Sequence, residues 1–321
     1  MPQSLATPQV KQFKTHSEQI ALLRERGMLI ESDSKARRLL GQVNYYRLSG
    51  YWYSWRKLLE TGERADSFIE GTTLADVVAV YMFDCKLREA VFTCLAPIEL
   101  SVRSMLGHEL GRIDPFAHLH PDSLGSLARA SAGQGSSSGH QKWLERYEKE
   151  LRASREDFVA HHKKKYGGKL PIWAAVEVID WGSLTHLYQL APIGVRDTIA
   201  ARVDLNAAQL GSWLKALNIL RNYSAHHARM FNRVYAIKPR LPRKGRHPEL
   251  DMIADTVNRI FGQLTLIQYL LVHLDLGNIA ILPELLEQYP QVKPLPKSHL
   301  GMPDKWQENP LWATKTVLSF R

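Results

Sequence analysis

The segment 213–233 constrains the fold most, because its apolar and polar residues follow one helical spacing. The apolar stripe, spaced i, i+3 and i+4, consists of Leu210, Trp213, Leu214, Leu217, Leu220 and Ser224. The second half of the segment fills the same register with Arg221, Asn222, His226, His227, Arg229 and Arg233. A buried helix that turns polar breaks local consistency, and such breaks are common at functional sites. We therefore predict a helix over 206–228 that carries the functional site.

Helical spacing also dominates the rest of the chain. Amphipathic patterns run from Thr72 to Leu110 and from Leu250 to Leu274, and Pro97 is expected to kink or restart the first of them. No alternation of apolar and polar residues is long enough to predict a convincing strand. The sequence therefore predicts an all-α protein built on a helical bundle.

The 321 residues are enough for one large domain or two ordinary ones. We expect an N-terminal helical extension over 1–71 that packs on the core, a helical bundle over 72–275, and a C-terminal helix and tail over 276–321. Residues 111–169 are interpreted as an insertion in the bundle. Within it, the Ser- and Gly-rich stretch 131–139 predicts a flexible loop.

The charge balance favours an acidic partner. The net charge is +10, which suits RNA, DNA or an anionic membrane surface, although many soluble proteins are mildly basic without such a partner. No stretch reaches the ~18 consecutive apolar residues of a membrane span, and the N-terminus carries no apolar signal core. Cys85 and Cys94 show no metal or redox spacing. We expect a soluble, cytoplasmic protein with no membrane partner.

Known catalytic and cofactor motifs are missing from the sequence. It contains no Gly-rich phosphate loop, no zinc-type spacing of His, Cys and Glu, and no paired-carboxylate or nucleophile-elbow signature. We therefore expect neither a cofactor nor a metal, and arginine and histidine are left as the candidates for chemistry.

The end of the predicted helix carries groups that suit cleavage of RNA through its own 2′-hydroxyl. Asn222 and His226 are four residues apart and share a helical face, and the long side chain of Arg221 can reach the same place. A histidine can transfer a proton near neutral pH, an arginine can hold the phosphate, and the asparagine can orient either group. The expected products are a 2′,3′-cyclic phosphate and a 5′-hydroxyl.

The Arg-x4-His spacing occurs a second time, from Arg103 to His108, with Ser104 in the place of Asn222. A match of this kind is expected by chance in a chain so rich in arginine and histidine. The alternative interpretation is that Glu99 and Arg103 form an i, i+4 ion pair inside the bundle. We keep Glu99, Arg103 and His108 as a possible second motif.

Two further segments are candidates for RNA binding. Residues 205–248 contain no Asp or Glu, and their cations include Arg229, Arg233, Lys238, Arg240, Arg243, Lys244 and Arg246. Such a segment favours a polyanion, or is a basic loop after a helix C-terminus. The aromatic stretch 44–55 can stack on bases through Tyr51 and Trp52 beside Arg47. The favoured alternative is that these rings seal the N-terminal helices onto the core.

Several blocks, in order, carry a family resemblance over residues 15–235. They are NYYRLSGYW at 44–52, GTT at 71–73, YMFD at 81–84 with LR at 87–88, LPIWAAVEV at 170–178, WLKALNILRN at 213–222, AHH at 225–227 and NR at 232–233. The sequence resembles the Abi-like abortive-infection family of the AbiD and AbiF type, a branch of the HEPN superfamily of all-α ribonucleases.

This resemblance implies a HEPN helical bundle, metal-independent RNA cleavage by Arg221 and one histidine of the pair His226 and His227, and a phage-defence or toxin-like role. HEPN sites are typically built where two such helices face each other, so a homodimer is implied. The helix with Arg103 and His108 is the alternative source of a second half-site. The alternative function is an inactive HEPN fold that binds RNA or regulates, for example in complex with a non-coding RNA.

Overall fold

The computed structural model describes residues 10–130 and 138–313. The chain is predominantly helical, as predicted. It divides into two units, Met1–Asp84 with Pro290–Pro296 and Cys85–Tyr289 with Lys297–Arg321. The predicted boundaries after residues 71 and 275 stay a prediction.

The first unit consists of short helices and one β-hairpin. Its elements are α1 (His16–Glu25), α2 (Asp33–Gln42), α3 (Tyr45–Trp52), β1 (Arg56–Leu58), β2 (Arg64–Phe68) and the start of α4 (Leu74–Gly111). The positions before the helical patterns predict Thr15 or Ser17, Ser32 or Ser34, and Thr72 or Thr73 as N-caps. In the structure, the hydroxyls of Thr15, Ser32 and Thr73 cap α1, α2 and α4. The antiparallel hairpin of β1 and β2 was not predicted, because strands of three and five residues are too short to show alternation.

The second unit holds the remaining helices. Besides the end of α4 they are α5 (Ser126–Arg129), α6 (Gly139–Ala153), α7 (Asp157–Lys165), α8 (Ile172–Ala175), α9 (Trp181–Leu190), α10 (Ile193–Ala201), α11 (Ala207–Ala225), α12 (Pro248–Asp251), α13 (Ile260–His273), α14 (Ile281–Glu287) and α15 (Pro310–Ala313). Ser138 caps α6, so the last residues of the predicted loop 131–139 begin a helix. Residues 131–137 of that loop lie outside the described residues.

Helix α11 lies at the centre of the second unit, where it contacts α9, α10 and α13. Its predicted apolar stripe is buried, and Trp213 is fully buried. The Trp213 indole donates to the Arg240 carbonyl at 2.8 Å, and the Trp181 indole donates to the Leu214 carbonyl at 3.3 Å. Burial of each such large apolar side chain contributes about 1.5–3 kcal/mol, so α11 is firmly held before its polar end begins.

Helix α4 runs from Leu74 to Gly111 without a break, so of the two alternatives at Pro97 the restart is wrong and the kink stays a prediction. Proline removes the amide that would bond to the carbonyl of Thr93, and Thr93 is exposed. By length and composition alone α4 can cross a membrane, but half of its most apolar window is buried inside the protein. That burial is typical of a core helix in a soluble protein.

The predicted helix from Leu250 to Leu274 is wrong in its first half. Helix α12 ends at Asp251, and turns connect it to α13. A Cβ at Gly262 would lie only 2.5 Å from the Thr256 carbonyl oxygen, so the chain doubles back against the start of α13. Helix α13 is buried on every side from Ile260 to Leu271 rather than on one face.

Candidate active site

Helix α11 ends earlier than predicted, at Ala225. His226 is its C-cap, and His227 adopts the left-handed conformation with a φ of 54°. The amide of Ala228 then donates to the Tyr223 carbonyl at 2.9 Å, the long-range bond of a Schellman ending. The prediction that the polar residues after His226 keep the helical register is therefore wrong, although histidine is among the residues that tolerate this conformation best.

The predicted pairing of Asn222 with His226 survives this early ending. The amide of His226 donates to the Asn222 carbonyl at 2.9 Å, so the i, i+4 relationship continues to the cap. Asn222 is half-buried, whereas His226 and His227 are exposed. His226 thus continues the helical face of Asn222, and the left-handed turn takes His227 off it.

Arg221 is half-buried and reaches towards α4. Its guanidinium lies 5.9 Å from the centroid of the Phe92 ring, a cation–π arrangement. Phe92 is 47% exposed, so this pair is open to solvent. Phe92 is a large aromatic residue on an exposed part of α4, and sequence reasoning missed it.

Arg229 and Arg233 return to the helix end because the chain folds back after His227. The guanidinium of Arg233 lies 4.6 Å from the Tyr223 ring centroid and donates to the Tyr223 hydroxyl at 3.3 Å. It also donates to the carbonyl of Arg229 at 3.0 Å. Both arginines are half-buried. Tyr223, on the last turn of α11, is a positioning residue that sequence reasoning missed.

The basic loop, residues 237–248, is fixed to α11 by its backbone. The Arg240 amide donates to the Ser212 hydroxyl at 2.8 Å, and the Arg240 carbonyl accepts from the Trp213 indole. Both backbone groups of Arg240 are thus bonded to α11. The side chains of Lys238, Arg240, Arg243 and Lys244 are exposed. They present four positive charges on a backbone that α11 holds in place.

Arg246 is a poorer candidate for RNA binding than predicted, because acidic side chains from outside the acid-free segment contact it and its neighbour. The Arg246 guanidinium pairs with Asp204 at 2.9 Å, and the neighbouring Gly245 amide donates to Asp251 at 3.0 Å. Asp204 precedes the acid-free segment and Asp251 follows it. The charge of Arg246 is therefore offset, although such an exposed pair contributes only about 0–1 kcal/mol.

The arginine of the possible second motif has a structural role. Arg103 is 8% exposed, and it donates to the carbonyl of Ile179 at 2.6 Å, to that of Val176, and to Glu99. These contacts leave it unavailable to a phosphate. The Glu99–Arg103 ion pair expected as the alternative is present, and His108 is exposed on the same helix.

The expectation that Tyr51 and Trp52 stack on bases is wrong. Tyr51 is 1% exposed and Trp52 is fully buried, so neither ring has a face open to a base. The Tyr51 hydroxyl donates to Asp84 at 2.6 Å, and the Trp52 ring packs edge-on against Phe68. These rings form the core of the first unit, and Arg47 beside them is exposed.

A comparison with models of known protein families identifies the family of this chain. A family model described as Abi-like protein matches residues 38–232, more than half of the chain. The chain belongs to the Abi-like protein family. Membership indicates a role in abortive infection. No curated protein and no solved structure matches the chain.

The match to the Abi-like family divides the candidate residues. Arg221, Asn222, His226, His227 and Arg229 lie inside the matched range, which ends at Asn232. Arg233 and the basic loop lie just beyond it. Among the described residues, no group of three His, Cys, Asp or Glu side chains is placed to hold a metal ion.

Proposed function

We propose that this Abi-like protein is a metal-independent endoribonuclease of an abortive-infection or toxin-type phage-defence system. One observation carries the proposal. The last turn of α11 and its cap bring Arg221, Asn222, His226 and His227 to one helix end, in a segment, 205–248, without a single acid.

The proposed reaction is attack of a ribose 2′-hydroxyl on its own phosphate. A histidine of the pair removes the hydroxyl proton, the 2′-oxygen bonds to phosphorus, and the bond from phosphorus to the 5′-oxygen breaks. A protonated histidine gives its proton to the leaving oxygen. The products are a 2′,3′-cyclic phosphate and a 5′-hydroxyl. His226 and His227 are both exposed, so a substrate can reach either.

Arg221 stabilises the extra negative charge that develops on the phosphate during this attack. Its position over Phe92 restricts the guanidinium without using its hydrogen-bond donors, so they stay free for phosphate oxygens. Asn222, on the face of His226, orients the histidine or the phosphate. The exposed cations Lys238, Arg240, Arg243 and Lys244 hold the flanking RNA.

We further propose that the active form is a cytoplasmic homodimer. One chain supplies one arginine and histidine set at the end of α11. The motif of Arg103 and His108 does not supply a second set, because the Arg103 guanidinium is used by Glu99 and two backbone carbonyls. A second copy of the chain is then the remaining source of a facing helix end. Light scattering at working concentration tests this proposal, and a monomer that cleaves RNA contradicts it.

The ribonuclease proposal is tested with purified protein and RNA in excess chelator. Wild-type protein is expected to cleave, and the double variant Arg221→Ala, His226→Ala is expected to lose at least about 100-fold in rate, the usual contribution of a proton-transfer group. Arg152→Ala is the matched control, since Arg152 is an exposed arginine of α6 that pairs with Glu148 of the same helix, away from α11 in the chain. Equal cleavage by the double variant and the wild type rejects the proposal.

The second candidate function is an inactive member that binds RNA, for example a regulatory non-coding RNA. The exposed basic loop favours it, because binding through Lys238, Arg240, Arg243 and Lys244 needs no chemistry at α11. In this case RNA binding weakens with salt and persists in the double variant, and the wild type cleaves no RNA.

A further inference from the structure

A separate cleft of about 440 Å³ lies between α4 and the α8 segment of the second unit. Its α4 wall carries Ser104, His108 and Arg112, which are spaced by four residues on one helical face. Its other wall carries Trp173 and Glu177. The proposed chemistry at the end of α11 uses none of these five residues.

Trp173 is the unusual feature of this cleft. All eight tryptophans lie in the described ranges, and seven of them are at most 3% exposed, whereas Trp173 is 53% exposed. Tryptophan has the largest apolar area of any side chain, and this protein otherwise buries it completely. A ring left open at the wall of a cleft is placed to pack against a ligand.

The position of Trp173 is fixed by two glycines of α4. A Cβ at Gly107 would lie 3.1 Å from the Trp173 Cα, and a Cβ at Gly111 would lie 3.0 Å from Cε3 of its ring. The ring therefore rests against the Gly111 backbone. The buried Arg103 holds the carbonyl of Val176, three residues further on. The Trp173 ring is thus held in place before any ligand arrives, which reduces the entropy lost on binding.

The polar groups of the cleft suit the phosphate and the base of a nucleotide. The Arg112 side chain is 69% exposed, and its partner Glu109 lies at a long 3.4 Å, so a phosphate can compete for it. His108 lies one turn before Arg112, and both side chains are exposed. Glu177 is exposed one turn after Trp173 and can accept a hydrogen bond from an exocyclic amino group.

We propose that this cleft binds one nucleotide of single-stranded RNA, with its base stacked on Trp173, its phosphate on Arg112, and an amino group of the base donating to Glu177. The proposal rests on the proposed function in taking RNA as the ligand. Phe92 and His108 are about 24 Å apart along α4 at 1.5 Å per residue. The cleft therefore holds a nucleotide several positions away from the bond cleaved beside Arg221, and it contributes to substrate choice.

The probe is a short 2′-O-methylated RNA of mixed sequence, which cannot be cleaved through its 2′-oxygen. Titration is expected to quench tryptophan fluorescence in the wild type, because Trp173 is the one tryptophan that a base can reach. Trp173→Phe is expected to abolish the quenching but keep most of the affinity in a fluorescence-anisotropy assay. Trp173→Ala is expected to weaken binding about tenfold, the usual contribution of a stacked base.

Two matched controls separate the cleft from general surface effects. Arg152 is 70% exposed with its glutamate at 3.4 Å, nearly the environment of Arg112, so Arg112→Ala is expected to weaken binding and Arg152→Ala is not. Tyr166 is 55% exposed, and Tyr166→Ala is expected to bind like the wild type. Glu177→Gln is expected to reduce the preference for a cytosine-rich probe over a uracil-only probe, since uracil lacks an amino group.

Quenching that persists in Trp173→Phe, or wild-type binding by both Trp173→Ala and Arg112→Ala, overturns the proposal. If Trp173→Ala does not fold, the proposal is tested by the quenching of wild-type fluorescence and by the titration of Arg112→Ala. The outcome is independent of cleavage. Quenching that depends on Trp173, without cleavage of any RNA, supports nucleotide binding in the cleft and rejects the nuclease proposal. Cleavage of RNA with no effect of the Trp173 or Arg112 substitutions on binding supports the nuclease proposal and rejects nucleotide binding in the cleft.

Discussion

The guanidinium of Arg221 lies 5.9 Å from the centroid of the Phe92 ring, so the last turn of α11 meets α4 at the candidate active site. The cation–π contact contributes about 0.5–1 kcal/mol at an exposed site and holds the arginine in place. We predict that Phe92→Ala lowers kcat/KM for RNA several-fold. Phe92→Tyr, which keeps an aromatic ring, is expected to stay close to the wild type in the same assay. Equal losses in both variants mean that the ring face does not position Arg221.

Because His227 has a left-handed conformation, substitutions at this position can distinguish a structural role from a catalytic one. Glycine adopts a φ of 54° without strain, whereas a β-branched residue does not. We predict that His227→Gly is more stable than His227→Val by about 1 kcal/mol or more in urea unfolding. If His227 transfers the proton, both variants lose cleavage; if His226 does, His227→Gly keeps it. Equal stability of the two variants contradicts the assigned helix ending.

His118 makes stability depend on pH. It is fully buried and packs edge-on against the stacked rings of Trp143 and Tyr147, and among the described residues neither of its ring nitrogens has a hydrogen-bond partner. Burial lowers the pKa of His118 from 6.5 to about 4. The unfolded chain therefore takes up a proton near pH 6.5, while the folded protein resists it. Stability is complete above pH 6.5 and is lost as the pH falls towards 4.

We predict that this histidine alone removes about 2 kcal/mol of stability between pH 7 and pH 5. In His118→Phe, the loss between these two pH values is expected to shrink by that amount, whatever the absolute stability of the variant. Urea unfolding at both pH values measures the difference. An unchanged pH dependence in the variant means that His118 is protonated in the folded protein.

Arg103 and Arg221 are predicted to behave oppositely on substitution. Arg103→Ala leaves the mostly buried Glu99 without its partner and is expected to cost about 3 kcal/mol of stability. Arg221→Ala is expected to leave stability nearly unchanged and to abolish cleavage. Unfolding and cleavage measured on both variants check this contrast. A stable Arg103→Ala variant that has lost cleavage contradicts the structural role and indicates that the motif of Arg103 and His108 is catalytic.

The parts of the fold that local patterns encode could be predicted from the sequence. The apolar stripe from Leu210 to Leu220 depends on residues close in the chain and is confirmed. The cap of α1 is also local, and of its two candidates, Thr15 and Ser17, the structure uses Thr15. The end of α11 could not be placed, because no Gly or Pro lies within the ten residues after Ala225 and a histidine takes the left-handed position. The break before α13 depends on the backbone approach at Gly262, which no local pattern shows.

The candidate site was predictable only in part for the same reason. The i, i+4 relationship between Asn222 and His226 is local and persists in the structure. The contact of Arg221 with Phe92 joins positions more than a hundred residues apart. The carbonyls that hold Arg103 are more distant in sequence than any local pattern covers, 73 and 76 residues away.

The chemical ends of the cleaved RNA test the central claim most directly. Wild-type protein is incubated with a defined RNA in excess chelator, and the product termini are identified by mass spectrometry. Attack by the 2′-hydroxyl through Arg221 and the histidine pair predicts 2′,3′-cyclic phosphate and 5′-hydroxyl ends, which disappear in the Arg221→Ala, His226→Ala variant. Products with 3′-hydroxyl and 5′-phosphate ends, or cleavage that stops in chelator, contradict the account.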